Sequence, residues 1–295
     1  MLATDFKLVV PDVRPAENQT GSVHTIAVTS GKGGVGKTNI ATNLALTLAR
    51  EGLPTMLLDA DLGMANVDVL LDFHTPVNLM NVLAGECHLN EIIFTGPNGL
   101  MIVPAASGNK QLAELGPLEC AGLVRAFSEL DQDINTLVID TATGISESVA
   151  SLCAASSSVL VVVNNEPTSI RDSVALIKLL NVRNSTARIH ILANMVQGAK
   201  EGNGIFQRIL ESMDHTQNAI ISYAGYIPYD DAVRKAVASH RAVVTAFPHS
   251  RSALALTELG KQVRRWPVPC YPHGQLEFFV ERLLQQNNVE MEVLS

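Results

Sequence analysis

Eight consecutive residues, Gly31-Lys32-Gly33-Gly34-Val35-Gly36-Lys37-Thr38, have the types and spacing to hold a polyphosphate. They fit the pattern G-x-x-x-x-G-K-[ST]. The glycines let the backbone curl so that successive N–H groups point at one anion. A helix opening directly after the loop adds its partial positive charge. Lys37 would reach the β- and γ-phosphates of a nucleotide, and the Thr38 hydroxyl would ligate Mg²⁺.

Such a loop works only between a strand and a helix, and the neighbouring residues supply both. His24-Thr25-Ile26-Ala27-Val28-Thr29 reads as a short buried strand, and Thr38 to Arg50 runs at helical period with Gly52 just past its end. The alternation continues. Strands are expected at Thr55–Leu58, Leu100–Val103, Asn135–Ile139, Ser158–Val163, Arg188–Ala193 and Ile220–Ile227, with helices over 118–130, 169–181, 203–213 and 250–264. Strand–helix alternation with wholly apolar strands predicts a parallel α/β sheet, and right-handed crossovers put helices on both faces. Leu137-Val138-Ile139-Asp140 is an apolar strand ending in a carboxylate, and a carboxylate at such a strand end holds Mg²⁺. No linker divides residues 23–270, so one domain is expected there. Residues 1–22 read as a flexible extension, with a short apolar piece at Phe6–Val10, and residues 271–295 as a C-terminal amphipathic helix and tail.

The composition agrees. Of 295 residues 47% are hydrophobic, 17% charged and 4% aromatic, so the chain is globular with an aliphatic core. The formal net charge of −8 argues against direct nucleic-acid binding, which rests on Lys and Arg displacing counterions. Cys87, Cys120, Cys153 and Cys270 form no C-x-x-C pair, against the iron–sulfur proteins that share this loop. No basic and apolar leader opens the sequence, and no apolar run approaches the roughly 20 residues of a spanning helix. A cytoplasmic protein is expected, with any membrane contact peripheral.

The second lysine of the loop, Lys32, makes the string Lys32–Thr38 resemble the deviant Walker A motif of the MinD/ParA ATPases. The resemblance implies a three-layer parallel-sheet P-loop NTPase fold and a Mg²⁺-dependent, slowly turning-over ATPase that forms a homodimer with ATP. Lys32 would cross the dimer interface to the partner's nucleotide. Asp59-Ala60-Asp61-Leu62-Gly63 resembles the family's switch I, with Asp61 orienting the attacking water and Asp59 joining Thr38 and Asp140 around Mg²⁺. The segment after Asp140 resembles switch II, with Thr143 where the family commonly has Ala or Pro. Asn194 resembles the family's base-contacting Asn, and Pro228-Tyr229-Asp230 its base-wrapping segment.

Four stretches, Leu58–Asp68, Val103–Gly108, Asn165–Ile170 and Leu276–Leu283, resemble the flagellar-number regulators within that family (the FlhG/FleN group). Such proteins limit polar flagella by antagonising a flagellar transcription activator and acting with a polar flagellar GTPase. The D-Q-A-x-x-L-R element that stimulates the GTPase is missing from residues 1–22, which argues against that activity. The alternatives are a MinD-type cell-division ATPase or a ParA-like cargo- or DNA-positioning one. Leu276, Phe279, Val280, Leu283 and Leu284 form one apolar stripe at helical spacing. By resemblance that helix binds the inner face of the membrane or the cell pole. Glu277 and Glu281 suit an anionic surface poorly, and the competing reading is a helix packed on its own domain.

Overall fold

The computed structural model describes residues 22–62, 66–105, 116–130, 132–183, 188–213, 220–268 and 277–279. The first half of the chain gives β1 (His24–Thr29), α1 (Lys37–Arg50), β2 (Thr55–Ala60), the short helices α2 (Val67–Leu71), α3 (Leu79–Leu83) and α4 (Leu89–Ile92), β3 (Phe94–Thr95), β4 (Met101–Val103), α5 (Pro117–Ser128) and β5 (Thr136–Thr141). The second half gives α6 (Glu147–Ala154), β6 (Ser158–Val163), α7 (Pro167–Arg183), β7 (Arg188–Val196), α8 (Ala199–Glu211), β8 (Ile220–Pro228), α9 (Asp231–Ala238), α10 (Val243–Ala246) and α11 (Arg251–Val263).

The strands form one sheet in the order β3-β4-β2-β5-β1-β6-β7-β8. All described pairings are parallel except β3 with β4. Every residue of β1, β2, β5 and β6 is buried, as strands covered on both faces must be. Successive side chains alternate between two faces. Ile26, Val28, Leu57 and Val138 pack with Leu44, Leu48 and Leu256 of α1 and α11. Met56, Leu58, Leu137 and Ile139 face Leu123 and Phe127 of α5, and Ala27, Val159 and Val161 face Val149 and Ile177 of α6 and α7. The expected three-layer parallel α/β architecture is therefore the one found.

The structure adds to and shifts the expected elements. β3 and the short helices α2 to α4 carry too few residues to show a period. α8 begins at Ala199 rather than 203, because Gly202 and Gly204 weaken the helical pattern there. Gly202 has a packing reason: a Cβ at that position would lie 2.4 Å from the Tyr223 hydroxyl.

Of the expected C-terminal helix, only 277–279 are described. Phe278 and Phe279 are buried edge-on against Phe127 of α5, and the Phe278 amide donates to the Ala155 carbonyl. Phe279 has φ 59°, a left-handed turn rather than helical backbone, so the proposed stripe does not run as a helix through this residue. Leu276, Val280, Leu283 and Leu284 lie outside the described residues, as do residues 1–21.

Candidate nucleotide site

The register of the sheet assembles the site. Thr29 ends β1 in the middle of the sheet, between β5 and β6, and the loop 31–36 follows it into α1. Asp59 of β2 and Asp140 of β5 are register partners, so two carboxylates stand side by side at the carboxyl ends of their strands. That edge is where ligands bind in open α/β sheets.

α1 opens at Lys37 with Gly36 as its N-cap at φ 89°, and no side chain caps its first amides. The unpaired N–H groups of the first turn are thus left for an anion. Gly36 is required twice over, by its left-handed backbone and by crowding: a Cβ there would lie 2.6 Å from the Asn194 side-chain nitrogen.

Lys37 is buried at 6% exposure. Its Nζ donates to Asp140 Oδ1 at 2.8 Å and lies 3.8 Å from Asp61 Oδ2. The other Asp140 oxygen, Oδ2, is buried with no hydrogen-bond partner. Asp59 accepts from the backbone amides of Asp61, Asn66 and Val67. Burial, and then the neighbouring Asp140, push the Asp59 carboxyl well above the usual carboxylate range, against the pull of those amides and Lys37. The Asp140 oxygen without a partner and the adjoining Asp59 carboxyl that resists charge are what a divalent cation relieves, and oxygen donors suit Mg²⁺. Among the described residues no three His, Cys, Asp or Glu side chains converge as a metal cage. Mg²⁺ at a phosphate site needs none, since waters and phosphate oxygens complete its shell.

Two neighbouring cavities take up the space in front of the loop. One of 500 Å³ is lined by Gly33–Asn39, Asp61, Asn66, Thr143 and Met195. One of 270 Å³ is mostly apolar and is lined by Ile40, Asn194, Ile227, Pro228, Tyr229, Asp230 and Val243. Gly36, Asn39 and Met195 border both. Sizes and chemistry match a polyphosphate leading into a base.

The structure thus gathers Gly33, Gly34, Val35, Gly36, Lys37, Thr38, Asp61, Asn194, Pro228, Tyr229 and Asp230 around one space, with Asp59 and Asp140 behind Lys37. Gly31 lies under the loop, against the Asp172 backbone of α7, and lines neither cavity. Lys32 lines neither cavity and pairs with Glu166, donating also to Thr168 Oγ1 at 3.0 Å. That pairing holds the Glu166 carboxyl below its usual range.

Two residues matched to base contacts spend their side chains elsewhere. Asn194 Nδ2 donates to the Val35 carbonyl at 2.7 Å, and its Oδ1 accepts from the Met195 amide at 2.9 Å. Asp230 caps α9 through the Ala232 amide and also accepts from the Ser252 amide and hydroxyl of α11. Both line the base cavity while tying elements together. Met195, Asn39 and Val237 also line the site, and no local pattern in the sequence marks them.

Residues 26–243 match the model of the CobQ/CobB/MinD/ParA nucleotide-binding domain. The chain is 50% identical over 270 residues to the antiactivator FleN of Pseudomonas aeruginosa, covering 90% of this chain and 96% of that protein. It is 30% identical over 269 residues to the flagellum site-determining protein YlxH of Helicobacter pylori, covering 90% and 91%. Among solved structures, the septum site-determining protein MinD of Pyrococcus horikoshii, complexed with Mg-ADP, superposes with a TM-score of 0.68 at 22% identity, covering 82% of this chain and 96% of that one.

Proposed function

This chain belongs to the CobQ/CobB/MinD/ParA family of nucleotide-binding proteins, and from that premise we propose that it is an ATP-dependent dimerising switch that regulates flagellar number and placement. The observation that carries the chemistry is Lys37, buried between Asp140 and Asp61 at the mouth of an uncapped helix. Its likeness to an antiactivator and to a flagellum site-determining protein, each over 90% of its length, supports the cellular role.

In this reading the loop amides and Lys37 bind the phosphates of ATP, and the apolar cavity takes the adenine. Thr38, Asp59 and Asp140 hold Mg²⁺, which supplies charge neutralisation at the phosphates when bound. Lys37 exchanges its Asp140 contact for the β- and γ-phosphates. Asp61, at the rim of the phosphate cavity, orients the attacking water. Lys32 leaves Glu166 and reaches the nucleotide of a second copy, so that ATP joins two subunits and hydrolysis parts them. Slow turnover suits a switch that must dwell in one state. Residues 23–270 form the ATPase unit. The expected partners are a flagellar transcription activator and the polar flagellar GTPase, with the protein cytoplasmic and peripheral at the inner membrane face or the cell pole. Among the described residues no helix is long and apolar enough to cross a membrane.

Two measurements test this. Purified protein should hydrolyse MgATP, with Asp61→Ala retaining binding while losing turnover; robust hydrolysis by Asp61→Ala would refute the assigned role. In the cell of origin, loss of the protein should raise the number of flagella per cell, and Lys37→Ala should fail to restore it. An unchanged flagellar count would refute the cellular role.

A further inference from the structure

We propose that Met195 is a nucleotide-contact residue, its thioether covering the junction of the two cavities and packing on the ribose–base portion of a bound purine nucleotide. The inference rests on the nucleotide reading of those cavities and goes beyond it, because Met195 belongs to none of the motifs on which that reading was built.

The local backbone is unusual. Met195 has φ 58°, in the left-handed region where a residue with a side chain is uncommon. Asn or Gly would adopt it more readily. The register with β8 shifts between Asn194 and Val196, so Met195 sits on a bulge next to the site. Bulges of this kind re-aim a side chain, and a strained backbone persists at a functional site only when its surroundings enforce it. Here the enforcing group is Asn194. Its side chain accepts from the Met195 amide and donates to the Val35 carbonyl of the phosphate loop, so the bulge is tied directly to the loop.

The side chain goes where a nucleotide would need cover. Met195 borders both cavities and is 42% exposed in a molecule whose other β7 residues from Ile189 to Val196 are buried. Its Cε lies 3.3 Å from the place where a Cβ on Gly36 would be. The bulge thus lifts Met195 out of the sheet and lays it over the loop glycine, where sugar and base would join the phosphates. A thioether is polarizable and contacts aromatic rings favourably, so a purine edge or face suits it. The same geometry reassigns Asn194: its amide acts as the positioner of Met195 and the loop.

The test compares two probes on the full chain, MgATP and inorganic tripolyphosphate, by calorimetric titration. Met195→Ala should weaken MgATP binding about tenfold, the scale of a lost thioether–ring contact with its packing, and leave tripolyphosphate binding unchanged. Met195→Leu should stay within about threefold of wild type, since it refills the volume. Met195→Gly should lose MgATP affinity as Ala does while melting no lower than wild type, because glycine relieves the left-handed backbone. Equal MgATP binding by Met195→Ala and wild type would overturn the proposal. So would a parallel loss of both probes, which would make Met195 a structural residue. Wild-type protein binding neither probe would instead sink the nucleotide reading itself.

Discussion

The two ends of the sheet bury polar side chains in opposite ways. At the carboxyl end Lys37 and Asp140 form a buried ion pair, burial pushes the Asp59 carboxyl up, Asp140 Oδ2 has no partner, and a cavity opens in front of them. At the amino end His24 and His190 are buried and neutral. His24 pairs with Ser158 Oγ at 3.1 Å and His190 Nδ1 with Ser222 Oγ at 2.7 Å. His190 stacks flat on Trp266 at 3.5 Å, with the His24 ring edge-on to the same indole, and Arg188 fastens the next residue through the Pro267 carbonyl at 2.8 Å. Beside them Ser157 and Thr25 exchange backbone and hydroxyl hydrogen bonds. The same strands therefore carry a buried ion pair beside open cavities at one end and a stacked His–Trp cluster at the other, where His190 Nε2 is also buried without a hydrogen-bond partner. The carboxyl end faces space that a ligand can fill, whereas the stack of His190 on Trp266 closes the opposite end.

The contrast is testable as a separation of effects. Lys37→Ala should cut turnover about 100- to 1000-fold, the scale of removing one charge-stabilising donor. The emission of Trp266, the single tryptophan, should stay unchanged, since it reports on the far end. A spectral shift comparable to unfolding would merge the two ends into one unit.

Acid should act on the amino end. Burial, then the Arg188 charge, lowers the His24 pKa to about 4, and burial, His24 and Arg188 lower that of His190 to about 3. Both are about 6.5 in the unfolded chain, which therefore binds more protons from about pH 6.5 down to about 4 for His24 and about 3 for His190. Stability is full above pH 6.5 and falls as pH drops through that window, on the order of 1.4 kcal/mol for each tenfold difference in proton affinity. Thermal melts at pH 7, 6 and 5 check this, and a His24→Gln, His190→Gln variant should show a flatter profile. An equal slope in that variant would place the acid response elsewhere.

Trp266→Ala should cost about 2 kcal/mol in denaturant melts followed by circular dichroism, less than a fully buried Trp because Trp266 is partly exposed, while leaving MgATP affinity at the wild-type value. Smallest of all, Arg125→Ala breaks an exposed pair with Glu129 on α5 and should alter neither readout.

What the sequence revealed follows the same division. The phosphate loop is contiguous, and its chemistry sits in its own glycines and lysines, so the residue order alone discloses it. The strands around it are legible because burial on both faces leaves unbroken aliphatic runs such as Val159 to Val163. Asp59 and Asp140 are visible as strand-end carboxylates, but that they are register partners depends on β2 and β5 being neighbours. The amino-end cluster is invisible in the sequence, since His24, His190 and Trp266 come from segments with no shared spacing. Met195 is invisible for another reason: a left-handed residue on a bulge is decided by the pairing of β7 with β8. Asn194 and Asp230 are found by resemblance, yet their side chains tie elements together, a use that position alone does not disclose.

The central claim is that ATP joins two copies of this chain. Light scattering on Asp61→Ala, which should bind without hydrolysing, tests it most directly. With MgATP the mass should rise from 31.6 kDa to about twice that, remain at 31.6 kDa with ADP, and remain there with MgATP when Lys32→Ala is added. A mass that does not change with nucleotide, or a dimer formed equally without Lys32, would contradict the account.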